Sequence, residues 1–458
     1  MEKRAFGLRK WKVLLSVFHV IFLVITLAGI SAMYLNGGYG KGIRWIYDET
    51  YEDSDAFCSQ LGIDISNIFT YIGYKDMFET NGVLDMHKPI VRIIDGPGVD
   101  EDMTLDELIA AAQAEASAPD AGTFMVYAPT SRIEKALNAF AEEYGIQGEY
   151  YNESGQDLYT KLTTELEAGV KDTADVALLQ DSYLFQTQLQ NYDYITNYVP
   201  SYLKDDIYAD DQEPLVCYYY NKLFIFNNTD GMTGIANVWE LADPANAGKT
   251  FMKDISKESV NKNFLAMLTE QEWADKLAAA YKDYYGKDIE LDEDCANAGY
   301  QYIKDLLANV TFGSGDGDIA TELANGKGGN VGLFVYSKLR DDSVTQENLT
   351  VAAYQDTQPE GFSGFMYPMY LQMISSTDRP YTAKLFIYFL MTEKGFTSAF
   401  QTKAADIGTY SANSTIASLE GDKDLSFWKD CLVCEDPQYL QEAYASGILD
   451  FITYCTNK

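Results

Sequence analysis

Residues 124–131 read FMVYAPTS, a short apolar run that stops at a proline followed by two hydroxyl side chains. The run has the length and apolarity of a buried strand. Immediately after it, apolar side chains recur at helical spacing at Ile133, Leu137, Phe140 and Tyr144. A strand followed directly by an amphipathic helix predicts the first unit of an α/β fold.

The same alternation continues along the chain. The sequence predicts a strand at 148–151, a helix at 157–168 and a third strand at 175–179. This order of strand, helix, strand, helix and strand predicts a parallel sheet with right-handed crossovers. In such sheets, ligands bind at the carboxyl ends of the strands.

Two later segments are predicted to be strands that cross between two lobes, at 215–227 (LVCYYYNKLFIFN) and at 349–353. After the second, apolar elements at 365–374 and 380–392 have the character of core elements. A lobe that is left and later re-entered predicts an α/β two-lobed clam-shell hinged on two crossing strands. The predicted boundaries are 119–226 with 350–458 for lobe 1, and 227–349 for lobe 2.

The N-terminus predicts a membrane anchor. Five basic residues precede a nearly unbroken apolar run from Val13 to Met33, which is long enough to cross a bilayer as one transmembrane helix. Since lysine and arginine stay on the cytoplasmic side, we expect a single-pass protein at the cell membrane with the bulk of the chain extracellular. A cleaved signal peptide is the alternative, although its apolar stretch is usually shorter. Residues 1–34 form this tip and helix, and 35–118 a juxtamembrane segment or linker.

Composition excludes several classes of partner and site. A formal net charge of -35 argues against nucleic acid, whose phosphates would be repelled, whereas 47% hydrophobic residues are enough to fill folded cores. Six cysteines permit disulfides without indicating a dense disulfide framework, and their pairing stays open. The C-x-x-C of Cys431 and Cys434 has no second pair and no nearby histidine, so we interpret it as structural or incidental.

The sequence does not predict an enzyme. Gly248-Lys249-Thr250 resembles the end of a phosphate loop, but Asp243 occupies the position of its first glycine. The two histidines, His19 and His87, lie in the apolar run and in the linker, which leaves a Ser-His or zinc hydrolase without its base or ligand. No catalytic residue, metal or cofactor is predicted.

Two helix starts are predicted to bind the ligand. Thr130 and Ser131 lie where a strand passes into a helix, and Gly315 and Asp316 belong to a loop, GSGDGD at 313–318, that precedes another. Free backbone N–H groups at such starts bind anions, although an ordinary cap or turn is the alternative reading. Further candidates for ligand binding end strands or follow turns near the predicted cleft: Arg132, Gln180, Asp181, Tyr220, Asn221, Ser337, Tyr367 and Tyr410.

An ordered set of segments resembles the bacterial extracellular solute-binding proteins of ABC transporters, family 1. The segments are 126–132 (VYAPTSR), 158–162 (LYTKL), 167–169 (EAG), 174–176 (ADV), 238–244 (VWELADP), 333–340 (LFVYSKLR) and 383–390 (AKLFIYFL). The resemblance implies a type II periplasmic-binding fold and is nearest to the branch with iron(III), small oxoanion and phosphonate binders. The iron binders use two adjacent tyrosines late in the chain, whereas here Tyr218, Tyr219 and Tyr220 lie in the first crossing strand.

The function that this resemblance implies is capture of a small polar or anionic solute between the lobes and its delivery to an ABC permease. The protein would then be a solute-binding protein held at the membrane by the helix from Val13 to Met33. Two alternatives stay open. The same clam-shell suits a ligand-sensing ectodomain that signals to a membrane partner, and a surface protein with a vestigial cleft is the third reading.

Overall fold

The fold is described from a computed structural model over residues 103–457, except 120, 154, 171–172, 228–233, 327–330, 342–343, 345–347, 352–357 and 404–405. The chain divides into two compact units, and almost all described residues belong to the unit formed by Val91–Gln188 and Ile195–Lys458. The predicted anchor, Val13 to Met33, lies outside the described residues. Among the helices within them, none combines the length and apolarity that a membrane span requires.

The described chain forms one sheet of 12 strands, which confirms the predicted α/β class. The central path of this sheet runs β2-β1-β3-β10-β5-β8-β6-β7. The strands are β1 Phe124–Ala128, β2 Gly148–Asn152, β3 Val176–Leu179, β4 Ile195–Thr196, β5 Val216–Asn227, β6 Thr250–Lys253, β7 Val310–Gly313, β8 Val331–Val335, β9 Leu349–Val351, β10 Gly364–Ile374, β11 Thr409–Ser411 and β12 Val433–Cys434.

Helices cover the sheet, and their apolar faces follow the sequence pattern. The longer ones are α1 Leu105–Ala116, α2 Ile133–Tyr144, α3 Gly155–Glu167, α4 Ser259–Met267, α5 Gln271–Tyr285, α6 Ala298–Asn309, α7 Asp316–Ala324, α8 Pro380–Met391, α9 Glu393–Phe400, α10 Leu425–Cys431, α11 Pro437–Ala445 and α12 Ile448–Thr456. In α2, Ile133, Leu137 and Phe140 are buried as their spacing predicts. Gly145 ends this helix with φ 75, a conformation in which a side chain would be strained.

The sheet has two parallel halves that two long strands join. On one side β1 pairs in parallel with β2 and β3, and on the other β6 pairs in parallel with β7 and β8. Between them β5 and β10 are antiparallel to each other; β10 also pairs with β3, and β5 also pairs with β8. The parallel sheet predicted for β1, β2 and β3 is therefore confirmed, and β5 is a crossing strand as predicted.

The second predicted crossing strand, 349–353, is wrong. Among the described residues, β9 pairs only with the end of β5, at Ile225–Asn227. β10 instead pairs with β3 of one half and, over most of its length, with β5, which itself pairs with β8 of the other half. A strand rises about 3.3 Å per residue, so the three residues of β9 are too short to reach both halves and the 11 of β10 are long enough. Every residue of β10 is buried, which is why its sequence resembles an ordinary core strand.

The register of the crossing strands brings the carboxyl ends of both half-sheets to the same place. Leu179, the last residue of β3, lies opposite Tyr370 of β10, and Val335, the last residue of β8, lies opposite Lys222 of β5. Between these two points Tyr220 of β5 pairs with Tyr367 of β10. The carboxyl ends of the two halves therefore face each other across the middle of the β5–β10 pair, where parallel sheets bind ligands.

Two helical regions extend beyond what the sequence analysis predicted. α1 lies in the predicted linker and packs against α8; its first turn has a capping box between Thr104 and Glu107, a signal that is readable in the sequence. At the other end of the chain, α11 packs against α4, and α12 packs against α4 and α6. The predicted division into lobes stays a prediction.

Candidate functional site

The candidate site lies on one face of β5, at its middle. Tyr220 and Lys222 are two residues apart, so their side chains share a face, and Asn221 between them points to the other. Tyr367 lies opposite Tyr220, with the two ring centres 6.0 Å apart. Lys222 is only 1% exposed, and a lysine this deeply buried requires partners for its charge.

The partners of Lys222 come from the half that contains β6, β7 and β8. Lys222 Nζ donates to Asn261 Oδ1 at 2.8 Å and lies 3.5 Å from Asp316 Oδ2, at the start of α7. Nearby, Glu258 accepts from Lys253 Nζ at 2.6 Å and from Gln180 Nε2 at 3.0 Å. Burial raises the pKa of Glu258. The charges of Lys222 and Lys253, together with the hydrogen bonds from Lys253 and Gln180, leave this pKa below its ordinary value.

A second cluster joins two arginines through one buried carboxylate. Arg132, which follows β1, donates through Nε to the Ala399 carbonyl at 3.0 Å, and its Nη2 lies 3.6 Å from Asp406 Oδ1. Arg340, which follows β8, lies 3.7 Å from the same oxygen and donates to Ser337 Oγ at 3.1 Å. Burial raises the pKa of Tyr220, but the charges of Arg132 and Arg340 contribute to lowering it below its ordinary value.

A third network surrounds two carboxyl groups beyond the end of β3. Asn263 Nδ2, on α4, donates to Asp181 Oδ1 at 2.9 Å and to Glu435 Oε1 at 2.8 Å. The Ser182 amide donates to Glu435 Oε2 at 3.0 Å, and the Ser182 hydroxyl lies 2.7 Å from the Tyr370 hydroxyl. Burial, together with the charge of Asp181, raises the pKa of Glu435 to about 7. Burial also raises the pKa of Asp181.

The raised pKa of Glu435 predicts a stability that falls as the pH rises. Between an ordinary value of 4.5 and about 7 the folded chain holds a proton that the unfolded chain has released, so folding weakens through this window. Because the residue keeps partial exposure, we expect a loss on the order of 2 kcal/mol between pH 5 and pH 8. The unfolding free energy of Glu435→Gln, measured by urea unfolding, should depend distinctly less on pH across that range. The pH dependence that remains comes from Asp181.

The matched control for this pH profile is Glu272→Gln, since the Glu272 side chain is 68% exposed on α5. This substitution should leave the pH dependence of the unfolding free energy as it is in the unaltered protein. A Glu435→Gln variant that keeps the full slope would contradict the assignment of the slope to the Glu435 carboxyl group.

The structure brings most of the predicted site residues to this face. Arg132, Gln180, Asp181, Tyr220, Asp316, Ser337 and Tyr367 all belong to the three clusters or to the strands between them. Asn221 and Tyr410 lie on the other face, where Asn221 Nδ2 donates to the Tyr410 hydroxyl at 3.1 Å and Tyr410 packs in a core cluster with Trp428. Alternation along β5 separates them from Tyr220.

The helix starts differ in detail from the sequence prediction. α2 begins at Ile133, with Arg132 in the cap position and no side-chain cap, while Ser131 is exposed and Thr130 Oγ1 accepts from the Arg132 amide at 3.3 Å. No serine or threonine side chain therefore caps this helix. Gly315 does precede a helix, α7, as predicted. That helix begins at Asp316, however, so the last three residues of the predicted loop at 313–318 belong to its first turn. Whether Thr130, Ser131 or Gly315 binds ligand stays a prediction.

Known structures share this architecture. The iron-bound HitA of Pseudomonas aeruginosa matches with 15% identity and a TM-score of 0.53, over 73% of this chain and 99% of that one. The periplasmic binding protein AfuA of Actinobacillus pleuropneumoniae, with fructose-6-phosphate bound, matches with 15% identity and a TM-score of 0.54, over 73% and 98%. The substrate binding protein of an ABC transporter from Agrobacterium tumefaciens matches with 15% identity and a TM-score of 0.55, over 75% and 96%.

This chain has the periplasmic-binding fold. Identities near 15% show the shared fold and nothing finer. No protein-family model matches the sequence, and no curated protein matches it. The three clusters lie at the carboxyl ends of the strands of both halves. Ligands of open α/β sheets bind at this position.

The three tyrosines of β5 are divided between the two faces of the strand. Tyr219 donates its hydroxyl to Asp211 Oδ1 at 2.5 Å on one face, while Tyr218 and Tyr220 lie on the other with ring centres 4.9 Å apart. Over the described part of the chain, histidine, cysteine and carboxylate side chains nowhere form a group of three that would hold a metal ion.

Sequence reasoning missed several residues of these clusters. Lys222 carried a readable signal, because a single lysine inside the apolar run LVCYYYNKLFIFN predicts a buried charge with partners. Others had no such signal, because acidic and amide residues are common in this chain and only tertiary contacts select them: Lys253, Glu258, Asn261, Asn263, Asp406 and Glu435. Arg340 lies in a segment that carried the family resemblance without having been singled out.

Proposed function

We propose that this protein is a membrane-anchored solute-binding protein that captures a small polar or anionic solute between its two lobes and delivers it to an ABC permease. It acts by binding and not as an enzyme. The anchor is the helix predicted from Val13 to Met33, and the bulk of the chain is extracellular. The matched structure from Agrobacterium tumefaciens is a substrate binding protein of an ABC transporter, so we favour capture over sensing.

One observation carries this proposal. The carboxyl ends of two parallel half-sheets face each other across the middle of β5 and β10, and buried charged groups from both halves converge there. Charged side chains are buried only where they have partners or a function, because their removal from water is costly. A ligand at this position contacts both halves at once, which is the requirement for closing a hinged cleft.

Closure follows from the same contacts. Gln180 and Asp181 follow β3 in one half. In the other half, Gln180 bonds to Glu258, just before α4, and Asp181 bonds to Asn263, within α4. A solute that adds contacts to both halves shifts the balance towards the closed form by the difference between its affinities for the two forms. The permease then needs to recognise only the closed form.

The proposal is tested by thermal-shift screening of the full chain against phosphate, phosphonates, carboxylates, polyamines, sugars and iron(III). We expect at least one class to raise the melting temperature by several degrees at a concentration far above its Kd. The same solute should reduce the radius of gyration in small-angle X-ray scattering, because the cleft closes on it. If no solute in the panel stabilises the protein, the binding function is refuted in favour of a structural role.

A further inference from the structure

Outside the crossing strands, the two halves meet at the third network. Asp181 and Ser182 directly follow β3, whereas Asn263 lies on α4, which follows β6 in the chain. Asn263 Nδ2 donates to Asp181 Oδ1 at 2.9 Å, and the Ser182 amide donates to Glu435 Oε2 at 3.0 Å. The halves cannot move apart about β5 and β10 without breaking these bonds.

The C-terminal part of the chain extends this contact. Glu435 follows β12, which pairs with β10, and leads into α11, which packs against α4. On α11, Tyr444 donates its hydroxyl to Asn263 Oδ1 at 2.6 Å, and its ring stacks on that of Tyr183, with the ring centres 3.8 Å apart. Tyr183 lies in the short helical turn after β3. α11 therefore contacts α4 on one side and the segment after β3 on the other, so it links the two halves.

One amide nitrogen holds both carboxyl groups of the network. Asn263 Nδ2 donates to Asp181 Oδ1 at 2.9 Å and to Glu435 Oε1 at 2.8 Å. Because both oxygens lie within hydrogen-bond distance of the same atom, they are no more than about 6 Å apart. Within the part of the chain that the structure describes, no lysine or arginine forms an ion pair with either carboxyl group. Two negative charges this close, buried and without a cation, repel each other strongly.

The titratable groups that face this pair come from each element packed around it. Burial raises the pKa of five of them and keeps them neutral: Tyr159 of α3, Tyr367 and Tyr370 of β10, Cys434 of β12 and Tyr444 of α11. Glu258, before α4, has a lowered pKa and stays ionised. Lys222 and Lys253 lie beside Asp316 and Glu258. The protonation of Asp181 and Glu435 therefore decides how the charge of this network changes between pH 5 and pH 8.

The proton of the pair depends on contact between the halves. With the halves in contact, burial and the charge of Asp181 raise the pKa of Glu435 from an ordinary value of 4.5 to about 7. When the halves part, water reaches the carboxyl groups and this pKa falls towards its ordinary value. Between the two values the closed form holds a proton that the open form releases to water. Closure is thus favoured below this window and weakens as the pH rises through it.

We infer that Asp181, Asn263 and Glu435 form a proton-dependent latch between the two halves, which holds them together while the carboxyl pair keeps a proton and lets them part when it is lost. This inference rests on the proposed function and adds a regulation to it. The solute is held most tightly in mildly acidic surroundings and is released as the pH rises.

Distance measurements on the full chain test the latch without any solute. Spin labels are attached at Glu142 on α2 and at Ala279 on α5, which are both exposed, through introduced ketone side chains that leave the native cysteines unmodified. In double electron–electron resonance we expect a short distance to dominate at pH 5.5 and a longer one to grow at pH 8.5. The ratio of closed to open form should change at least about tenfold, the factor that one pKa unit provides.

Two variants and a control assign this response. Glu435→Gln cannot ionise, so the short distance should persist at pH 8.5. Tyr444→Phe removes the hydroxyl that holds Asn263 Oδ1 and should increase the open population already at pH 5.5. Glu272→Gln, with a side chain that is 68% exposed on α5, should respond to pH as the unaltered protein does. Circular dichroism checks folding. Should Glu435→Gln fail to fold, Tyr444→Phe still decides, because it changes no charge in this pH range.

The outcomes separate the latch from the proposed function. If the label distances of the unaltered protein are the same at both pH values, the latch is refuted, and a solute that raises the melting temperature in the screen still supports capture. If Glu435→Gln keeps the full response, or if Tyr444→Phe stays as closed as the unaltered protein at pH 5.5, the response does not arise in this network and the inference is wrong. If the halves part as expected but no solute binds, the latch is supported and capture is refuted.

Discussion

Replacing Asp175 by alanine is expected to lower the free energy of unfolding by about 3–5 kcal/mol. Asp175 is 1% exposed, just before β3. Its carboxylate accepts from the Thr377 hydroxyl at 2.6 Å, from Arg379 Nη1 at 3.1 Å and from the Met125 amide at 2.8 Å. The substitution leaves the guanidinium of Arg379, itself 4% exposed, without the carboxylate that balances it.

This carboxylate matters because it ties three elements together. Met125 lies in β1, Asp175 precedes β3, and Thr377 and Arg379 precede α8, so the loss affects two interior strands of one half-sheet and a helix at once. Urea unfolding followed by tryptophan fluorescence measures the loss. Asp175→Asn keeps part of the hydrogen bonding and should lose less than the alanine variant.

The matched control for Asp175→Ala is Asp288→Ala. Asp288 also pairs with a cation, Lys282 Nζ at 2.9 Å, but its side chain is 86% exposed. Removing this surface pair should change the unfolding free energy by less than about 0.5 kcal/mol. If both alanine variants lose equally little, Asp175 is not the buried partner of Arg379 that the structure shows.

Replacing Lys222 by methionine is the second change with a large expected effect. Methionine fills much of the volume of the lysine but leaves Asp316 and Asn261 without their buried cation. We expect the free energy of unfolding to fall by about 3–5 kcal/mol at pH 8, because breaking a buried pair leaves one charge uncompensated. The loss reports on the site directly, since Lys222 lies at its centre.

The pH dependence of this loss tests its electrostatic origin. In the unaltered protein the pKa of Glu258 is below its ordinary value, partly because of Lys222, so its contribution to stability is present above that ordinary value and is lost as the pH falls through the folded pKa. Without Lys222, the pKa of Glu258 should be higher than in the unaltered protein, because burial is then opposed by Lys253 and Gln180 alone. The variant should therefore lose more stability at pH 8 than at pH 5.

Lys276→Met is the control for Lys222→Met. Lys276 pairs with Glu272 one turn earlier on α5, at 2.7 Å, with both side chains substantially exposed. Its replacement should cost less than about 0.5 kcal/mol at either pH. Equal losses for Lys222→Met at pH 5 and pH 8 would show that packing, and not charge, explains the role of this lysine.

The sequence predicted the elements of the first half-sheet well. β1 has the predicted bounds, and β2, β3 and α3 differ from theirs by at most two residues at either end, because apolar periodicity reports directly on which side chains are buried. The sequence prediction was wrong for the second crossing strand. Both β9 and β10 have the composition of strands, and only pairing with β3 and β5 shows which of them spans the two halves.

The candidate site was predicted only in part, for a similar reason. Residues that directly follow strands, such as Gln180 and Asp181, were found because chain order places them at the carboxyl edge. Asn221 and Tyr410 were assigned to the same site, but alternation along β5 and the packing around Trp428 place them on the other face. Residues such as Glu258 and Asp406 lie in loops next to the site. The local sequence pattern does not show which loop residues come close to it.

By itself, the sequence determined the class of the fold, the alternation of strands and helices in the first half-sheet, and the first crossing strand, because these depend on the spacing of apolar side chains along the chain. Only the tertiary structure decided that β10 is the second crossing strand and that Arg132, Lys222 and Asp316 converge on one face. Such convergence depends on contacts between residues far apart in the chain. Periodicity and propensity, which are local, do not encode those contacts in a readable form.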